Sequence, residues 1–74
     1  MQTFNIEQAI RDAGGDTVVG AAIGKSSATV ARWRTRASFP SPDDQPALAR
    51  ALGVPLAELA EAVAVAAEAA RVRA

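Results

Sequence analysis

Apolar residues recur along this chain at three- and four-residue steps, the spacing that aligns side chains on one face of an α-helix. Ile6, Ala9, Ile10 and Ala13 form the first such set and Gly14-Gly15 ends it, so a helix is predicted over 6–13. Asn5 is its expected cap, accepting an early backbone N–H while Gln8, three residues on, reaches back. Val19, Gly20 and Ile23 share the face of a second helix over 16–23, capped by Gly15 or Asp16 and closed by Gly24. Val30 and Trp33 are the inward residues of a third helix over 27–35, capped by Ser26 or Ser27.

The segment from Ala37 to Pro42 holds two prolines and reads as a connection. Ser41-Pro42-Asp43-Asp44 then combines a capping serine, a proline suited to the first helical position and two carboxylates near the positive helix end. A fourth helix is predicted over 43–52, with Leu48, Ala49 and Leu52 inward; Pro46 implies an irregular first turn and regular helix only from about that residue. Pro55 opens a fifth and longest helix over 56–72, with Leu56, Leu59, Val63, Ala66, Ala67 and Ala70 on one side and Glu58, Glu61 and Glu68 on the polar side. The chain is expected to be all-α, a compact bundle of five helices in one domain spanning 1–74.

Composition narrows what such a bundle can do. Half of the 74 residues are apolar, but alanine supplies 19 of them, so the core must be thin. There is neither cysteine nor histidine, which removes disulfides, Ser-His or Cys-His nucleophilic catalysis and the commonest zinc ligands. The carboxylates sit scattered at helix ends, so no enzyme, metal, cofactor or small-molecule ligand is expected. No stretch reaches the roughly 18 apolar residues that span a bilayer, and the first residues lack a leader pattern. The expected location is the bacterial cytoplasm or nucleoid, with no membrane partner.

A net charge of zero and a pI near 6.1 argue against a nucleic-acid partner when taken alone. The distribution argues the other way. Between Thr17 and Pro42 lie Lys25, Arg32, Arg34 and Arg36 with no acidic residue, while all eight carboxylates fall outside that interval. The same interval contains two short helices joined by a turn of three or four residues, which forces them to cross steeply and exposes the outer face of the second. Gly20 is the small residue that such a close crossing requires, and Val19, Ile23, Val30 and Trp33 would form the wedge between the two helices.

The run GDTVVGAAIGKSSATVARWRTR, followed by FPSPDDQPALARALGVPLAEL, resembles the helix-turn-helix domain of the Cro and lambda-repressor class, including its small phage members. Gly24 matches the turn glycine, Gly20 the small residue of the preceding helix, Val30 the apolar residue of the recognition helix and Trp33 the aromatic that follows. Pro40, Pro42, Ala49, Leu52, Gly53, Val54 and Leu59 continue the likeness, which covers Ile6 to Leu59. Three positions depart from the pattern: Lys25 where an apolar residue is usual, Arg36 where glycine is usual, and Val18 at a normally polar place.

The resemblance implies double-stranded DNA as partner, with base edges read by Ser26, Ser27, Ala28, Ala31, Arg32 and Thr35. Arg32 suits guanine O6 and N7, Ser27 can donate or accept, and Ala28 can pack on a thymine methyl. Phosphate contacts fall to Thr17 with the start of the second helix, and to Lys25, Arg34 and Arg36; Asp16 is left as a cap. The implied function is a Cro-like transcriptional repressor occupying operator DNA. The alternative is a helical protein-interaction module, an antirepressor or adaptor, that shares the fold without binding DNA. A homodimer through Leu56, Leu59, Val63, Ala67 and Ala70 would set two recognition helices about one DNA turn apart, roughly 34–36 Å, on an inverted repeat. The same stripe could instead fold back over its own core.

Overall fold

The computed structural model describes residues 4–73. Five helices follow one another: α1 (Ile6–Asp12), α2 (Asp16–Ile23), α3 (Ser27–Arg34), α4 (Gln45–Leu52) and α5 (Leu56–Arg73). Among the described residues there is no strand, and the chain is the all-α bundle that its periodicity implies. Asn5 caps α1, its Oδ1 accepting the Gln8 N–H at 3.1 Å. The reciprocal half of the expected capping box is absent, because the Gln8 amide instead donates to Asp12 Oδ1 one turn further on at 2.9 Å.

The core is small and drawn from every helix. Ile10 of α1, Val19 of α2, Val30 and Trp33 of α3, Leu48 and Ala49 of α4 and Leu59 of α5 are buried together. Phe4, Ile6, Ala13, Ile23, Leu52, Val54 and Val63 close around them. Each fully buried Leu, Ile or Val contributes roughly 1.5–3 kcal/mol relative to an exposed one. With so few such side chains, none is spare.

That scarcity corrects the expectation for α5. Leu59 is 0% exposed and belongs to the core, and Val63 packs against the same cluster. Of the other three residues expected at a dimer contact, Leu56 is 45% exposed, Ala67 is half-buried and Ala70 is exposed. Within the expected stripe, Leu59 and Val63 therefore fold back over the chain's own core, while Leu56 and Ala70 stay exposed.

The fourth helix begins later than position 43. Ser41 does not cap it; the Ser41 carbonyl accepts the N–H groups of Asp44 and Gln45 at 2.9 and 3.1 Å, and this turn precedes the helix. Asp44 is the capping residue and makes no side-chain cap bond. Pro46 thus lies in the first turn, where N–H groups have no intrahelical acceptor and the missing donor costs nothing. The irregular first turn expected ahead of Pro46 is the turn over 42–44, and regular helix runs from Gln45.

Candidate nucleic-acid interface

The α2–α3 unit is built around a turn that folds back on the helix it leaves. Gly24 ends α2 at φ 74°, a left-handed conformation that glycine adopts without steric cost. The N–H groups of Gly24 and Lys25 both point to the Gly20 carbonyl, that of Lys25 at 2.9 Å. The turn backbone therefore lies against Gly20, where a Cβ would stand 2.6 Å from the Lys25 carbonyl oxygen. It is the turn, not the body of α3, that requires a small residue at this place.

Ser26 then caps α3, its Oγ accepting the Thr29 N–H at 3.2 Å and lying 3.0 Å from Thr29 Oγ1. The hydroxyl expected to read a base is thus occupied in holding the helix start. Ser27 and Ala28 follow in the exposed first turn, and Arg32 is exposed one turn beyond them. Ala31 is half-buried on the flank of this face. Thr35, also exposed, turns its hydroxyl back to donate to the Ala31 carbonyl at 3.0 Å. With Val30 and Trp33 buried, helical geometry directs Ala28 and Arg32 outward together.

The end of α3 is a Schellman motif. The Ala37 N–H reaches the Arg32 carbonyl at 2.9 Å and the Arg36 N–H reaches that of Trp33 at 3.2 Å. Arg36 occupies the left-handed position of this motif at φ 65°, the one described non-glycine residue with positive φ. A non-glycine residue there costs about 1–2 kcal/mol. Arginine thus takes the left-handed position where glycine is usual, and an exposed guanidinium stands just past α3.

Tertiary packing changes the charge of this surface. Arg34, expected to be free for phosphate, is held by Asp16 in a two-pronged bridge, Nε to Oδ1 at 2.9 Å and Nη2 to Oδ2 at 3.0 Å. The Asp16 hydrogen bonds and charge raise the Arg34 pKa above its ordinary value, and Glu7 adds a smaller push in the same direction. Asp16 is the first residue of α2, with Gly15 as cap, so its role is to tie the start of α2 to the end of α3. Lys25 meets Asp44 at 3.3 Å across the turn. An interval free of acids in sequence thus receives two carboxylates in space, and among its described cations Arg32 and Arg36 are left without an ion-pair partner.

Thr17 is exposed in the first turn of α2, which has no side-chain cap. No periodicity or spacing marked the Asp16–Arg34 and Lys25–Asp44 pairs, because each joins residues that only helix packing brings together. No helix of the described residues is long and apolar enough to cross a membrane, and no group of potential metal ligands gathers among them. The chain matches no protein-family model, no curated protein and no solved structure.

Proposed function

We propose that the chain is a sequence-specific double-stranded DNA-binding transcriptional regulator, a repressor that occupies operator DNA with α3 in the major groove. The observation that carries this reading is the outer face of α3, where Ser27, Ala28 and the unpaired Arg32 stand exposed together. An α-helix fits the major groove, and Arg32 supplies the bidentate donor fork that matches guanine O6 and N7. Arg36 beyond the helix end and Thr17 at the uncapped start of α2 supply contacts for the flanking phosphates. The resemblance to the Cro and lambda-repressor class supports the same assignment.

The pairing of Lys25 and Arg34 with carboxylates favours a second reading, a protein-interaction module with no nucleic-acid partner. Selection of duplexes from a random DNA pool by the purified chain tests the choice. A DNA regulator enriches a common motif and loses affinity with salt at a slope near −0.9 per phosphate contact. Failure to retain any duplex at low salt rejects the proposal in favour of the interaction module.

A further inference from the structure

Few polar groups on the outer face of α3 remain free to read a base. The Ser26 hydroxyl accepts the Thr29 N–H at 3.2 Å and lies 3.0 Å from Thr29 Oγ1, and Thr35 Oγ1 donates to the Ala31 carbonyl at 3.0 Å. Within α3 the helix-surface neighbours of Ala28 are the residues three and four positions on, Ala31 and Arg32. Ala28 thus offers an exposed methyl, with the half-buried Ala31 on one side and the unpaired Arg32 on the other. No carboxylate belongs to this patch. None occurs between Thr17 and Pro42, and Asp16 and Asp44 are held by Arg34 and Lys25.

We infer that this patch reads a guanine together with a nearby pyrimidine recognised by its C5-methyl group alone, so that 5-methylcytosine substitutes for thymine and methylated cytosine is told from unmethylated. The inference rests on the DNA-binding reading and names what α3 reads in the groove. Arg32 takes guanine O6 and N7. Four residues at ~1.5 Å each set Ala28 about 6 Å away along the helix, so its methyl meets a base within about two steps of ~3.4 Å from that guanine. In the major groove thymine presents the methyl and an O4 acceptor, whereas cytosine presents an N4 donor. The alanine side chain neither donates nor accepts, and the carboxylate that would take the cytosine N4 donor is missing from the patch. Ser27, one position earlier, projects about 100° round the helix and addresses a different part of the groove. Only the methyl is left for Ala28 to read, and 5-methylcytosine carries it on the same ring carbon as thymine.

Competition between matched duplexes tests it, using the motif that the full chain selects from a random pool. The guanine is the position whose preference Arg32→Ala loses. Each thymine in the stated range is then replaced in turn by uracil, by cytosine and by 5-methylcytosine, with guanine opposite the two cytosines. Thymine against uracil and 5-methylcytosine against cytosine each isolate a single methyl. At one position the methylated member of both pairs is expected to bind about 4-fold tighter, the worth of burying one methyl, and Ala28→Gly to erase both preferences. Any loss of helix stability in the glycine variant weakens every duplex alike and leaves the ratios untouched. Equal affinity within either pair at every position overturns the inference, as do preferences that persist in Ala28→Gly. So does a motif with no thymine in that range, or an Arg32→Ala variant that loses no guanine preference. Each of these results leaves DNA binding itself standing. Retention of no duplex at low salt overturns the DNA-binding reading, and this inference with it.

Discussion

The Lys25 carbonyl oxygen lies so close over the backbone of Gly20 that a Cβ added there would stand 2.6 Å from it. Two effects oppose each other in Gly20→Ala. A helical Gly→Ala change is favourable by about 1 kcal/mol from backbone entropy. The clash is with backbone in a hydrogen-bonded turn, and forcing a buried contact of this kind costs about 1–3 kcal/mol. The clash should win, giving a net loss of roughly 1 kcal/mol in urea unfolding with an unchanged m-value. A variant as stable as the native chain would show that the turn is not pinned at this point.

Arg36 bears the steric cost of a left-handed residue, so Arg36→Gly and Arg36→Ala should separate. The glycine variant is expected to be more stable than the alanine variant by about 1 kcal/mol, because only glycine adopts that conformation freely. Both lose the guanidinium. If it contacts phosphate, both should bind specific and random duplexes more weakly by the same factor, with a salt slope shallower by about 0.9.

Asp16 and Arg34 form a single unit between the two helices. Asp16→Asn and Arg34→Met should each lower the thermal midpoint, since either change leaves a half-buried charge without its partner. The double variant should be no less stable than the weaker single one. Additive losses would mean that the two side chains act separately.

Arg32→Ala should relax base preference at one position of the selected motif, a loss of about 1–3 kcal/mol against the preferred duplex. Competition between specific and random duplexes measures it. An equal fall for both would mark Arg32 as a phosphate contact.

Asp44→Asn removes the carboxylate that holds Lys25 at 3.3 Å. With the amine released, affinity for all duplexes should rise and the salt slope should steepen by about 0.9. An unchanged slope would mean that Lys25 does not face the DNA.

Much of the architecture was legible in short-range signals. Asn5, Ser26 and Gly24 marked helix ends correctly because caps and left-handed closures act within a turn of the residues they terminate. Val19, Val30 and Trp33 were readable as core from spacing alone. The start of α4 was not, since Ser41 and Asp44 both carry capping chemistry and the choice depends on where the preceding loop docks.

Spacing also placed Leu59 and Val63 on one face of α5, but a periodic stripe does not say whether its partner is the same chain or another. That answer came from the volume left open by four short helices. The charge of the α3 surface was likewise undecided by sequence: Asp16 and Arg34 are 18 residues apart, and their meeting depends on the angle at which α2 and α3 cross. Helix positions are written in interactions a few residues long. Ion pairs and the allocation of apolar faces are long-range outcomes that exist only once the helices are packed.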